Sequence, residues 1–213
     1  MKVIKCATIG GMLSVIREVE SMSKKKQQPL PTPQKFKLNE NHSWKAPAGF
    51  KIVVLDRGAV SFNMPEKWFV AKLEPAFEMH NAAPPDDDAR LSVTFFRHPP
   101  GIDWKGLPVE PLLLHSLKDV ADRDTLGTSV VTRLPRTDIE VVWAEQRFID
   151  PVERPREAFT RVTLARGFDI HAIISFDYWV NQAAQFRPVW NEMVRSLQIG
   201  RVIADPLRGE TLH

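Results

Sequence analysis

The chain has 213 residues, 43% hydrophobic and 26% charged, which suits one soluble domain with extensions and a core of real size. Cys6 is the single cysteine, so no intrachain disulfide forms and the fold does not depend on an oxidising compartment. The net charge of +3 hides an asymmetry: residues 1–57 carry 11 Lys/Arg against 4 Asp/Glu, whereas residues 58–213 carry 18 against 22. The basic balance therefore belongs to the N-terminal part, and a mildly acidic body argues against a nucleic-acid partner.

Two lysines precede an apolar run at 6–16, interrupted afterwards by Arg17, Glu18 and Glu20. The run has the length of a signal-peptide core, but no small-x-small cleavage site follows it, and it is too short to span a bilayer. Met22 opens a second start ("MSKKKQQPLPTPQKF"), so residues 1–21 read as an over-extended start, with a weak targeting or anchoring signal as the alternative. Residues 23–43 are rich in Lys, Gln and Pro and poor in apolar side chains, which predicts a disordered leader. The expected organisation is an extension at 1–44, one domain at 45–200 and a tail at 201–213.

"GFKIVVLD" (49–56) and "AVSFNM" (59–64) predict two strands around Arg57-Gly58, followed by a loop at 65–68. Residues 69–80 read as one strand, 80–89 as a loop and 90–98 as a strand of β-branched and aromatic residues. Val109, Leu113, Leu117 and Val120 recur at helical steps, predicting a helix over 109–123 with Pro111 in its first turn. Strands are predicted at 128–134, 138–149, 156–166 and 168–179. Phe186, Trp190, Met193, Val194 and Leu197 then form one helical stripe, with Gly200 as its stop. A helix this short is marginal alone, so the stripe must dock on the apolar face of the strands. Burying Phe186 and Trp190 there contributes about 2 kcal/mol each.

The last two strands pose a register question. A two-residue loop at Arg166-Gly167 puts Arg161 on the side of Ile170 and Ile174. A three-residue loop, Ala165-Arg166-Gly167, pairs Leu164 with Phe168, Val162 with Ile170 and Ala158 with Ile174. The three-residue loop is preferred because it makes one face apolar and places glycine where a left-handed residue is wanted. Phe159, Arg161, Thr163, Asp169, His171, Ile173, Ser175 and Asp177 then share the opposite, mixed face.

The order of parts, the "MPEKW" motif (64–68) after an N-terminal hairpin and the helix end "WNEMVRSL" (190–197) resemble the PsbP-like superfamily over roughly residues 48–200. That group spans the photosystem extrinsic PsbP, Mog-type Ran-binding factors, DcrB-like proteins and type VI effector chaperones. The resemblance implies an α+β fold, an α/β/α sandwich around a central antiparallel β-sheet, with the C-terminal helix packed on the sheet. It also implies a role through protein contacts. It carries over no site residue, because those groups share a fold and not one site.

No Gly-x-Ser-x-Gly elbow, Walker loop, dinucleotide fingerprint or His-x-x-x-His pair occurs, so the sequence predicts no cofactor, no metal and no catalytic residue. His80 and Asp86-Asp87-Asp88 share a loop region that reads as a solvated acidic turn. The candidate binding cluster is Arg161, Thr163, Asp169 and His171, which the preferred register gathers on the mixed face. The leading reading is a bacterial, cytoplasmic, non-enzymatic binding or adaptor protein whose partner is another protein, neither nucleic acid nor membrane interior. A small-molecule enzyme or ligand-binding protein using that polar cluster is the alternative. Trp179, at a strand end, is expected to be partly exposed.

Overall fold

The computed structural model describes residues 45–72, 76–99, 106–118, 123–152, 155–205 and 210–212. The expectations for residues 1–44 and 119–122 lie outside that set. Strands β1 (Phe50–Leu55) and β2 (Val60–Pro65) form the N-terminal hairpin around a 3-10 turn at Asp56–Gly58. The stretch expected as one strand is two, β3 (Phe69–Lys72) and β4 (Phe77–His80), paired as a hairpin. There follow β5 (Ala89–Arg97), helix α1 (Val109–Lys118), β6 (Asp124–Leu126), β7 (Val131–Arg133), β8 (Glu140–Ile149), β9 (Glu157–Gly167) and β10 (Ile170–Trp179). Helix α2 (Ala183–Ser196) begins three residues before the predicted stripe, and Leu197 turns the chain into the two-residue strand β11 (Gln198–Ile199). The expected tail contains a small hairpin, β12 (Val202–Asp205) with β13 (Glu210–Leu212).

The large antiparallel sheet runs β3-β4-β5-β10-β9-β8-β6, with β7 also on β8, and the small sheet runs β1-β2-β11. Cross-strand partners share a face, so the registers sort the side chains. On one face Val142, Ala144, Val162 and Leu164 pack under Val109, Leu113 and Leu117 of α1. On the other, Val93, Ala165, Ala172, Ile174, Phe176 and Tyr178 meet the α2 stripe and the inner side of the small sheet. Helix α2 is thus held between two sheets, with an α1 layer beyond.

The stripe docks as its periodicity dictates: Phe186 and Trp190 are each 1% exposed. Trp190 stacks parallel to Phe176 at 6.0 Å between centroids. Trp68 of the "P-x-x-W" motif closes the same cluster, 5.9 Å from Phe176 and 6.2 Å from Phe186. The polar side of α2 is tied to β2: the Asn63 backbone N–H donates to Ser196 Oγ at 2.8 Å, and its amide to Glu192 Oε1 at 2.7 Å. Trp179, expected at the surface, is 2% exposed and packs with Phe148 and Ala158.

Candidate functional site

The β9–β10 register decides which candidate residues meet. Gly167 pairs with Ile170, Ala165 with Ala172 and Arg161 with Phe176, so the connection is the two-residue turn Phe168-Asp169. This corrects the expected three-residue loop. Phe168, not glycine, takes the left-handed backbone, at φ 54°. Gly167 serves another purpose: a Cβ there would lie 2.6 Å from Ile139 Cγ2.

The correction splits the predicted cluster. Arg161 and Thr163 lie on the α2 face, His171 lies on the α1 face, and Asp169 sits in the turn. Arg161 and His171 are therefore on opposite sides of the sheet. The expected polar face does not exist as one surface.

On the α2 face Arg161 is 6% exposed. Its guanidinium lies 5.0 Å from the Trp143 ring centroid, 5.6 Å from Trp190 and 5.9 Å from Tyr178. Arg161 Nε donates to Glu145 Oε2 at 2.6 Å, Tyr178 Oη donates to the same oxygen at 3.1 Å, and Arg187 Nη2 donates to Oε1 at 3.2 Å. Burial, foremost, pushes the Tyr178 phenol up to about 12, so it remains a donor at neutral pH. Among the described residues, Arg161 Nη1 and the hydroxyl of the fully buried Thr163 have no hydrogen-bond partner. An orphan of this kind costs about 1–3 kcal/mol when nothing fills it.

On the α1 face His171 is 4% exposed, with the His98 ring 4.2 Å away and Phe96 at 5.4 Å. Burial, then the charges of His98 and Arg166, lower its pKa to about 4, so it is neutral at physiological pH. Arg166, its cross-strand neighbour, pairs with Glu140 and donates to the Leu107 carbonyl at 3.1 Å. In the turn, Asp169 binds Arg97 at 3.3 Å, and its carbonyl accepts the His98 backbone N–H at 2.7 Å.

Sequence reasoning missed Glu145, Tyr178 and Arg187, and a second network on the α1 face. There Asp177, 1% exposed, faces Arg123 at 3.3 Å and Arg90 at 3.7 Å, and Arg90 reaches Glu78 at 3.7 Å. His80 bridges Glu78 and Asp87. Asp87 is 6% exposed, so the loop read as a solvated acidic turn is anchored by a buried carboxylate. A signal existed for Glu145, which shares strand parity with Val141 and Trp143: a lone charge on an apolar parity needs a basic cross-strand partner, and Arg161 is that partner. Among the described residues, no group of three or more His, Cys, Asp and Glu could hold a metal ion. Nor is any helix among them long and apolar enough to cross a membrane.

A large antiparallel sheet with α1 on one face and the C-terminal helix α2 on the other is the fold of cyanobacterial PsbP. Cyanobacterial PsbP from Synechocystis sp. PCC 6803 superposes with a TM-score of 0.53 at 12% identity, covering 73% of this chain and 95% of that one. The Ran-binding protein Mog1p of Saccharomyces cerevisiae gives 0.48 at 14% identity, covering 70% and 95%. Within that fold the chain belongs to the Alr1449 family, which it matches over residues 51–203. The uncharacterized protein alr1449 of Nostoc sp. is 40% identical over 172 residues, 81% of this chain and 88% of the relative.

Proposed function

We propose that this protein is a cytoplasmic binding module that engages another protein through the end of the large sheet where the Phe168-Asp169 turn stands. The observation that carries this reading is Phe168 itself. It is 71% exposed and holds a left-handed backbone, φ 54°, that bulky side chains avoid at a cost of about 1 kcal/mol. A turn selected for stability alone takes Asn or Gly at such a position. The ring is also held in place: a Cβ at Gly200, itself at φ 72°, would come within 2.6 Å of it. An exposed aromatic that is already ordered loses little entropy on docking. Beside it, from Asp169 of the same turn, runs the chain of ion pairs Asp169–Arg97–Asp56, giving the apolar anchor a polar rim.

The test is Phe168→Asn. Asparagine tolerates the left-handed region, so the variant should be as stable as the wild type or up to about 1 kcal/mol more stable in urea unfolding. Its capture of the partner that the wild-type chain retains stoichiometrically should fall at least tenfold. Equal capture by both chains would sink the reading. Cell fractionation of the native protein checks the compartment.

A further inference from the structure

We infer that the surface around Phe168 accepts an acidic segment of its protein partner through Arg57 and Arg201, an inference that rests on the reading of Phe168 as the anchor. Among the described residues, three other than glycine hold a left-handed backbone: Asp56 at φ 41°, Arg57 at φ 52° and Phe168 at φ 54°. All three stand at one end of the molecule. The Phe168 ring lies so close to Gly200 that a Cβ there would meet it. The Gly200 N–H donates to the Ala59 carbonyl at 2.9 Å, and the Ala59 N–H closes the turn that holds Arg57 by donating to the Asp56 carbonyl at 3.1 Å. Arg201 follows Gly200, and β12 then runs past the same turn. Backbone strain of this kind collects at binding surfaces.

The charges at this end are unevenly matched. Arg97 takes both carboxylates, Asp169 at 3.3 Å and Asp56 at 3.9 Å. Arg57 and Arg201 form no ion pair among the described residues. Arg57 is exposed and Arg201 half-buried, so both can be reached from solvent. Of the five charges, Arg57, Arg97 and Arg201 are positive and Asp56 and Asp169 negative, and the surplus sits on the two arginines beside the ring. The guanidinium fork matches a carboxylate. An aromatic anchor flanked by two such forks fits a peptide segment in which Asp or Glu borders an apolar side chain. Anionic lipid carries the same sign, but two cations are too few to hold a protein at a membrane, and Asp56 and Asp169 on the same surface repel it.

The experiment selects phage-displayed random peptides on the full wild-type chain, on Phe168→Asn and on the double variant Arg57→Asn/Arg201→Gln. Asparagine tolerates the left-handed backbone and neither arginine holds an ion pair, so the double variant folds. The wild type should enrich peptides with Asp or Glu beside an apolar residue. A synthetic peptide of the enriched sequence should bind the double variant about tenfold more weakly at low salt, the loss expected for two exposed ion pairs, and the gap should close in concentrated salt. No enrichment, enrichment of peptides without acidic residues, or equal affinity in the double variant would each overturn the acidic segment. So would phosphatidylserine vesicles that bind the wild type more tightly than the peptide does. Phe168→Asn should lose the same peptides. If it retains them and they still depend on the arginines, the anchor falls and the acidic site stands.

Discussion

His80 and His171 lie on the same face of the same sheet and are each 4% exposed, yet their imidazoles are driven in opposite directions. Burial disfavours the charged ring in both. At His171 the neighbours, His98 and Arg166, add to that effect and the pKa falls to about 4. At His80, burial is outweighed by hydrogen bonds to Glu78 and Asp87, and the pKa ends above its ordinary value. Burial alone does not decide the charge of a core histidine; the sign of what it touches does.

The two ends of this face therefore respond oppositely to pH. For His171 the unfolded chain binds the proton first, at its ordinary pKa of 6.5, and the folded chain only near 4. Stability is intact above 6.5 and falls as pH drops between those values. For His80 the folded state binds the proton more tightly. Its contribution is full below the ordinary value and is lost as pH rises through the folded pKa.

The largest effect should come from removing the titration at His171. His171→Phe keeps an aromatic ring against Phe96 and should spare the chain an acid loss on the order of 3 kcal/mol between pH 6.5 and pH 4. Urea unfolding of both chains across that range measures it, and parallel curves would break the comparison. Next is Asp87→Asn, which takes the charge from the His80 Nδ1 contact of 2.9 Å and should cost about 2 kcal/mol at pH 6. NMR titration should show the His80 pKa moving down; an unmoved pKa would mean that Glu78 alone sets it. The smallest effect belongs to His80→Gln, which should flatten the alkaline side of the stability profile and leave the acid side unchanged. A flattened acid side would show that the two ends are coupled through Arg90 and Asp177.

What the sequence made legible follows from where each element is covered. The α2 stripe was readable because a helix has one buried face, and Phe186, Trp190, Met193 and Val194 advertise it. The strands of the large sheet were readable as strands for the same local reasons. Their register was not. Strand β9 is buried on both faces over most of its length, so apolar residues cannot say which side is inward. Val162 and Leu164 face α1 while Ala165 and Thr163 face α2, and either parity looks like a core. Gly167 strengthened the wrong choice, because its role in admitting Ile139 looks, in sequence, like a turn requirement. The candidate cluster inherited that error: Arg161 and Thr163 share the α2 face, whereas His171 lies on the other. The β3–β4 hairpin and β11 escaped because strands of two to four residues carry too little pattern.

The pairing of β11 with β2 joins residues 198–199 to residues 60–61, so the small sheet is completed by nearly the last described part of the chain. During synthesis the inner faces of β2 and β10 wait, uncovered, until α2 has emerged from the ribosome. Closure is therefore a late, long-range event, and the loop it closes spans most of the domain. A polypeptide stopped before residue 183 displays Phe62, Met64, Trp68 and Phe176 to the cell. Apolar surface exposed in this way is what makes incomplete chains prone to aggregate and dependent on chaperones.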